Sequence, residues 1–230
     1  MLSDKENHHF YGRRKGRPMN GGRLAAFDEV SQKYVLPDEI IDQDVIIPAA
    51  LVGKDQVWVE IGFGNGEHLI GQAKKNPQVG LIGCEPFING VACAAKDIVE
   101  NGLENIRLWP DDAVPLISKF PDHSVDRLFL LFNDPWPKTR HYKRRFIQPH
   151  IVKLLARILK PGAQLRLATD DKSLAEWMLM HVTNNPDFLW DHWQTGDWST
   201  APQDWIETRY QQKAAQQGRL AQYLDFTRQS

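Results

Sequence analysis

Apolar and polar positions along the chain predict strands and helices in regular alternation. The run from Val57 to Ile61 is short, rich in β-branched residues and followed by glycines, which is typical of a buried strand. Similar runs predict further strands over 79–84, 106–109, 125–132 and 164–168. Apolar residues at helical spacing predict helices over 66–75, 87–101, 143–159 and 172–183. This order predicts an α/β fold, in which a parallel sheet carries helices on both faces.

The first residues of the chain lack this periodicity. The stretch from Phe10 to Pro18 is basic and rich in glycine, so we interpret residues 1–27 as a flexible basic arm. Residues 28–230 are then a single domain. A solvated tail without a function is the alternative interpretation of the arm.

Composition and charge narrow the possible partners. The 230 residues include 28 Lys and Arg against 29 Asp and Glu, which excludes a uniformly basic coat for nucleic acid. Two cysteines cannot build a disulfide scaffold. The sequence shows neither a signal peptide nor a run of roughly 18 apolar residues, so we expect a cytoplasmic protein without a membrane partner. It indicates no obligatory protein partner, and a monomer and a homodimer are both compatible with it.

Acidic side chains follow five of the predicted strands. They are Glu60, Glu85, Asp112, Asp134 and Asp170. Each one alone is better explained by a helix cap or a turn. Because parallel strands present their carboxyl ends at one edge of a sheet, where such folds bind ligands, the five together predict a binding site.

The loop after the first strand contains Gly62, Gly64 and Gly66. A dinucleotide loop would need its third glycine at position 67, but Glu67 stands there and would bring negative charge to a pyrophosphate. A ligand without phosphates fits better, and NAD is not expected. The loop resembles the first motif of Rossmann-like methyltransferases that use S-adenosylmethionine. In such a site Glu85 could accept both ribose hydroxyls, and Asp112 would lie near the adenine; a tight turn without any ligand is the alternative.

A block of basic residues follows the fourth strand. Residues 138–145 include five Lys or Arg, one His and no acid. Basic side chains next to a pocket suit a polyphosphate substrate, although a solvated positive face would have the same composition.

The sequence Asp134-Pro135-Trp136 and the basic block after it resemble the bacterial tRNA (guanine-N7-)-methyltransferases of the TrmB type. Four other stretches resemble the same family: Glu60–Glu67, Asp112–Val114, Ala168–Asp170 and Thr208–Tyr210. The resemblance covers roughly residues 55–226.

This resemblance implies a class I methyltransferase fold with a mostly parallel, seven-stranded sheet. It implies transfer of the methyl group of S-adenosylmethionine to N7 of guanine 46 in the variable loop of tRNA. It places Glu60, Gly62, Gly64, Gly66, Glu85, Asp112 and Asp134 at the cofactor, with Asp134 also as the catalytic residue. It places Lys138, Asp170, Thr208, Arg209, Tyr210 and Gln211 at the substrate. We expect phosphate contacts from Arg140, Lys143, Arg144, Arg145 and the stretch 13–17, and no metal site.

Two positions depart from the family pattern. Asn133 replaces a proline, and Asn before Asp-Pro-Trp also resembles the motif of amino-group methyltransferases. Gln211 stands where the family has glutamate, and an amide offers one acceptor and two donors instead of two anionic oxygens. Two alternatives therefore stay open: an amino-group RNA or DNA methyltransferase, and a non-catalytic tRNA-binding module.

Overall fold

The computed structural model describes Tyr11, Gly12, Arg14 and residues 31–192 and 194–230. Most of the basic arm predicted over 1–27 therefore lies outside the described residues. The strands are β1 (Val57–Ile61), β2 (Gly80–Cys84), β3 (Ile106–Trp109), β4 (Val125–Leu131), β5 (Leu159–Thr169), β6 (Phe188–Trp190) and β7 (Gln222–Arg228). The α-helices are α1 (Pro48–Val52), α2 (Glu67–Lys75), α3 (Ile88–Glu100), α4 (Ala113–Ile117), α5 (Pro149–Ile158), α6 (Lys172–Thr183) and α7 (Arg209–Gln216). Two 3-10 helices span Asp38–Asp42 and Thr139–Arg144.

All seven strands form one sheet in the order β3-β2-β1-β4-β5-β7-β6. Strands β1 to β5 pair in parallel, whereas β7 runs antiparallel to both β5 and β6. The predicted Rossmann-like α/β fold with a mostly parallel, seven-stranded sheet is confirmed. Strand order reverses between β1 and β4, so the carboxyl ends of these two strands flank the crevice where such sheets bind ligands.

Apolar side chains pack on both faces of the sheet. On one face, Val59 and Leu128 belong to a core that also contains Leu155 of α5 and Met178 of α6. On the other face, residues of β2 and β3 pack against α2 and α3. A third, smaller cluster forms where Trp205 packs near Phe129 and Tyr223. Helices therefore cover both faces, as the alternating pattern predicted.

The helix predicted over 143–159 begins later than expected. Its first residue is Pro149, because proline suits the first helical turn and disfavours helix in the residue before it. The basic block upstream forms the 3-10 helix instead. Strand β5 begins at Leu159, earlier than the predicted start at 164, and runs through Pro161 and Gly162. A register shift between Val125 and Arg127 accommodates this irregular start of the pairing with β4.

The C-terminal part of the chain contains elements that the apolar pattern did not predict. Helix α7 buries only Ala214, so it has no apolar stripe that periodicity could detect. Strand β6 has three residues, which is too short for a periodic signal. Within the described residues, no helix is long and apolar enough to cross a membrane.

Candidate functional site

A cavity of about 860 Å³ opens at the carboxyl ends of the central strands. Its lining includes Gly62, Gly64, Glu85, Asp112, Asp134 and Arg144. These residues follow four different strands, so the predicted convergence of acidic side chains at one sheet edge holds for Glu85, Asp112 and Asp134. Glu60 and Gly66, which the resemblance also placed at the cofactor, are not among the lining residues.

The glycine loop is held against the strand-end carboxylate of Glu85. Gly64 donates its backbone N–H to Glu85 Oε2 at 2.8 Å, and Phe87 donates its own to Oε1 at 2.8 Å. Burial raises the pKa of Glu85, these two N–H donors oppose the shift, and the negative charges of Asp134 and Glu60 raise it further. The carboxylate is thus fixed by the backbone at the wall of the cavity.

The loop approaches α3 so closely that one position there admits only glycine. A Cβ atom built on Gly90 would lie 2.2 Å from the carbonyl oxygen of Gly64. The loop itself turns through positive φ angles of 75° at Gly62, 58° at Gly64 and 88° at Gly66, which side chains with a Cβ rarely adopt. Glycine at these positions therefore brings the backbone to the edge of the cavity.

Asp112 caps the short helix α4 at the end of β3. Its Oδ1 accepts the N–H of Val114 at 3.2 Å, and its backbone carbonyl accepts the indole N–H of Trp109 at 2.7 Å. The side chain is 8% exposed, which places a nearly buried carboxylate at the cavity wall.

Glu60 points to the opposite face of β1 and forms a buried pair with a residue that the sequence analysis passed over. Its Oε2 lies 2.7 Å from His68 Nδ1, and both side chains are almost fully buried. His68 Nε2 lies 3.2 Å from Gln72 Nε2. A direct contact between Glu60 and a ligand in the cavity is not favoured by this arrangement. The signal for His68 was its place on the buried face of α2, beside Leu69.

The Asp134 segment leaves β4 through a strained turn. Phe132 and Trp136 have φ angles of 52° and 43°, a region that costs roughly 1–3 kcal/mol for such residues. Asp134 between them is exposed and lines the cavity. Strain of this kind persists only where the surrounding contacts hold it, and here it projects Asp134 into the cavity.

Aromatic and cationic side chains surround the mouth of the cavity. The guanidinium carbon of Arg144 lies 4.9 Å from the ring centre of Trp136 and 5.0 Å from that of Tyr11. Tyr11 and Gly12 line the same cavity, although only three residues of the predicted arm are described. The structure therefore brings part of that arm to the mouth, which the sequence alone did not indicate.

Most of the basic block is available to an anionic partner. Lys138, Arg140 and Lys143 are exposed on or next to the 3-10 helix. Among these cations, partial burial and the positive charges of Arg144 and Arg140 lower the pKa of His141.

Arg145 differs from the rest of the block because it is buried, with 2% of its surface exposed. Its guanidinium donates to the carbonyl of Pro135 at 3.0 Å and to both the carbonyl and the hydroxyl of Ser173. It also lies 3.8 Å from the ring centre of Tyr142. The predicted phosphate contact is not favoured by this position, in which Arg145 ties the Asp134-Pro135-Trp136 turn to α6.

Asp170 lies at the end of β5 and is covered by residues from the C-terminal part of the chain. The hydroxyl of Tyr210 lies 3.3 and 3.4 Å from its two oxygens, and Arg219 forms an ion pair with it. The ring of Tyr210 is 5.3 Å from that of Phe132, which connects Asp170 to the Asp134 turn. Burial and the negative charges of Asp134 and Asp171 raise the pKa of Tyr210.

The remaining residues that were predicted to bind the substrate lie at the start of α7. Thr208 is the N-cap, and its Oγ1 accepts the N–H of Gln211 at 3.2 Å. The amide of Gln211 accepts from the indole of Trp205 at 2.8 Å and donates to the hydroxyl of Tyr223 at 2.7 Å. A glutamate could not make the second of these contacts as a donor, so the departure at Gln211 matches its neighbours. Arg209 is exposed and pairs with Glu67.

Within the described residues, no group of three or more His, Cys, Asp or Glu is arranged to hold a metal ion.

Comparisons with known proteins connect this geometry to one family. A family model described as "Putative methyltransferase" matches residues 54–223. A protein of Rhodospirillum rubrum named tRNA (guanine-N(7)-)-methyltransferase is 46% identical, over 97% of this chain and 89% of its own length. A protein of Hyphomonas neptunium with the same name is 44% identical, over 88% of this chain and 92% of its own length.

Solved structures support the fold alone, because their sequence identity to this chain is low. The 16S rRNA methyltransferase KamB superposes with a TM-score of 0.52 at 16% identity, over 90% of this chain and 94% of that one. TrmN from Thermus thermophilus gives a TM-score of 0.52 at 15% identity, over 88% of this chain and 52% of that one.

Proposed function

Since this chain belongs to the tRNA (guanine-N7-)-methyltransferase family, we propose that it transfers the methyl group of S-adenosylmethionine to N7 of guanine 46 in the tRNA variable loop. The observation that carries this proposal is the convergence of Glu85, Asp112 and Asp134 with the glycine loop around one cavity. Exposed cations stand beside the same opening.

The residues of the cavity fit S-adenosylmethionine in size and in charge. A volume of about 860 Å³ lies within the range of drug-sized and cofactor pockets. The carboxylate of Glu85 can accept two ribose hydroxyls, and Asp112 can accept from an adenine amine. Carboxylates also suit a ligand that carries a sulfonium and an ammonium group, whereas they would repel the pyrophosphate of NAD. When bound, S-adenosylmethionine would supply the methyl group that is transferred.

The reaction requires the protein to position the two reactants, and it does not require a general base. Guanine N7 has an in-plane lone pair and no proton at neutral pH, so no side chain needs to remove one. Holding the two reactants in line can lower a barrier by roughly 7–11 kcal/mol. The fixed turn that projects Asp134 suits this task, since Arg145 ties it to α6.

Asp134 and Asp170 are the acids available to the base. Either carboxylate could accept from guanine N1–H and from the 2-amino group, a donor pair that adenine lacks. A carboxylate near the ring would also stabilise the positive charge that the purine acquires. We propose Asp134 as the catalytic residue, because it alone of the two lines the cavity.

The tRNA would approach along the exposed cations. Lys138, Arg140, Lys143 and Arg144 can neutralise phosphates, and RNA-binding proteins often stack unpaired bases on aromatic rings. Trp136 lies within the Asp134 turn, and the ring of Tyr210 contacts that of Phe132 at its start, so both rings are candidates for this stacking. Reaching a base in the variable loop requires it to be unstacked, which costs a few kcal/mol.

The test is methyl transfer from labelled S-adenosylmethionine to unmodified tRNA, with a transcript carrying adenine at position 46 as the control. Digestion of the product identifies the modified base. We expect N7-methylguanosine from the first transcript and no label in the second. Formation of N6-methyladenosine would instead support an amino-group methyltransferase.

The role of Asp134 is tested by the substitution Asp134→Ala. Asp134 is exposed, and among the described residues no hydrogen bond or ion pair holds its carboxylate, so the fold and tRNA binding should persist. Turnover should fall by at least about 100-fold, as for removal of one preorganised electrostatic group. Turnover equal to that of the unsubstituted enzyme would refute the assignment.

A further inference from the structure

Helix α2 connects the glycine loop to the chain segment that carries Tyr210. This helix begins at Glu67, immediately after Gly66 of the loop. The segment that rests on it comprises residues 204–216, which include a loop and the whole of α7; we call it the docked segment. The contact places the start of α7, which carries Tyr210, at the same end of α2 as the glycine loop.

The strongest contact joins Glu67 to the first residue of α7. Glu67 Oε2 accepts the backbone N–H of Arg209 at 2.6 Å, and Oε1 lies 3.0 Å from Arg209 Nε. The Arg209 side chain is 81% exposed, so the side-chain pair contributes little in water. The backbone contact matters more, because the first N–H groups of a helix have no partner within it.

Glu67 thereby adds a second cap to α7, on the N–H of Arg209, beside the one that Thr208 provides for Gln211. The sequence from Thr208 to Gln211 has the spacing of a capping box, in which the fourth residue would reach back to the N-cap. Gln211 is instead committed to Trp205 and Tyr223. The carboxylate from α2 thus provides the negative group that a helix N-terminus favours.

Further contacts dock the loop of the segment on the same helix. Gln72 donates from Nε2 to the carbonyl of Asp204 at 3.2 Å. Ile206 packs so closely on Gly71 that a Cβ there would meet its Cδ1 at 2.6 Å. Trp205 lies 5.8 Å from the ring of His68, the partner of Glu60. Residues 67–72 of α2 thus contact residues 204–206 and 209 of the docked segment.

Helix α7 is a marginal element that depends on these contacts. It has eight residues and buries only Ala214, so tertiary packing contributes little to its stability. It is also attached to β7 through the hydrogen bond from Gln211 to Tyr223, and at the substrate side, where Tyr210 contacts Asp170. A change at the N-terminus of α2 therefore alters the order of the residues that face the substrate.

We propose that Glu67 is a positioning residue that couples the two sites: by capping α7 from the cofactor-loop helix, it makes tRNA binding tighter when the cofactor site is filled. This inference rests on the proposed function. Coupling of this kind is reciprocal, so tRNA tightens cofactor binding by the same factor.

The experiment measures tRNA binding to the full chain with and without saturating S-adenosylhomocysteine, which fills the cofactor site without turnover. It compares the unsubstituted protein with Glu67→Ala, Glu67→Gln and the control Glu100→Ala. Glu100 is an exposed acid on α3 that pairs with Lys96, so its removal makes the same change in net charge far from the docked segment. Steady-state kinetics on the same proteins separate KM from kcat.

We expect S-adenosylhomocysteine to tighten tRNA binding to the unsubstituted protein and to Glu100→Ala by the same factor. Glu67→Ala should lose roughly three- to ten-fold of that factor and raise KM for tRNA, because it removes a cap. Its affinity for S-adenosylhomocysteine alone should stay within two-fold of the unsubstituted value. Glu67→Gln keeps an acceptor for the Arg209 N–H and should recover part of the coupling.

The inference would be overturned by no coupling in the unsubstituted protein, by full coupling in Glu67→Ala, or by an equal loss in Glu100→Ala. A loss of S-adenosylhomocysteine affinity in Glu67→Ala without tRNA would also overturn it, because the residue would then act on the loop itself. Failure of the unsubstituted protein to bind either ligand would refute the proposed function instead.

Discussion

The contact between α3 and the glycine loop gives the most direct test of the cofactor site, through the substitution Gly90→Ala. The added Cβ would lie 2.2 Å from the carbonyl oxygen of Gly64 and 3.0 Å from its carbonyl carbon. Contacts between a carbon and an oxygen are ordinarily no closer than about 3.3 Å. Because both partners are backbone or Cβ atoms, the loop must move by about 1 Å.

This displacement acts on the hydrogen bond that fixes the loop to Glu85. Gly64 donates to that carboxylate at 2.8 Å, and a hydrogen bond to a charged group contributes about 1.5–3 kcal/mol. Its loss should weaken S-adenosylmethionine binding by roughly 10- to 100-fold. The free energy of unfolding should change less than the free energy of binding. Overpacking lowers it by about 1–3 kcal/mol, but replacing a helical glycine by alanine raises it by up to about 1 kcal/mol.

Calorimetric titration with S-adenosylmethionine and thermal unfolding measure the two effects separately. Gly71→Ala is the matched control, because it makes the same change within α2 but the nearest atoms that its Cβ meets belong to the side chain of Ile206 and not to the backbone of the glycine loop. We expect the control to bind S-adenosylmethionine within two-fold of the unsubstituted protein. If Gly90→Ala also binds within three-fold, or if both variants lose affinity equally, the loop is not held as described.

Two further predictions concern the free energy of unfolding and the salt dependence of tRNA binding. Burial raises the pKa of Asp204, but hydrogen bonds from Arg127 and Arg166 lower it to about 2. The ionised carboxylate therefore stabilises the folded chain fully above the pKa that it has in the unfolded chain, and this stabilisation is lost as the pH falls towards 2. Because 43% of this side chain is exposed, Asp204→Asn should lower the free energy of unfolding, measured in urea, by about 1–2 kcal/mol at pH 7 and by about half of that at pH 3. The same loss at both pH values would contradict this prediction. Arg140→Ala should reduce the slope of log affinity for tRNA against log salt concentration by roughly one phosphate contact. Arg145→Lys should leave this slope unchanged and lower the melting temperature. A reduced slope for Arg145→Lys would show that Arg145 contacts tRNA.

The sequence predicted the part of the site that depends on local pattern. Glu85, Asp112 and Asp134 could be placed because a short apolar run predicts a strand, and the order of strands and helices places all strand ends at one edge. Glu60 shows the limit of this reasoning. It belongs to β1 itself, where side chains alternate between faces, so its partner is His68 on α2 rather than the cavity.

Burial within the basic block could not be predicted from composition. Arg144 and Arg145 are neighbours of the same type, yet one lies at the mouth of the cavity and the other contacts Ser173, 28 residues further along the chain. Only the packing of α6 against the Asp134 turn decides between them. The docked segment was missed for the same reason, since Gln72 and Asp204 are 132 residues apart.

The arrangement of charge explains how a chain with a net charge of −1 can serve two ligands of opposite charge. Glu85 and Asp112 at the strand ends lie in the wall of the cavity, where reduced exposure to water strengthens their attraction for a small cation. The cations Lys138 and Arg140 lie outside it and meet solvent, where attraction for phosphates is screened over about 8 Å at physiological salt. Because Arg144 stands at the boundary, stacked near Trp136, a polyanion held by the outer cations would bring a base to the acids inside. Because the acids lie deeper than the cations, one sheet edge can attract both a cationic methyl donor and an anionic acceptor, and neither set of charges neutralises the other.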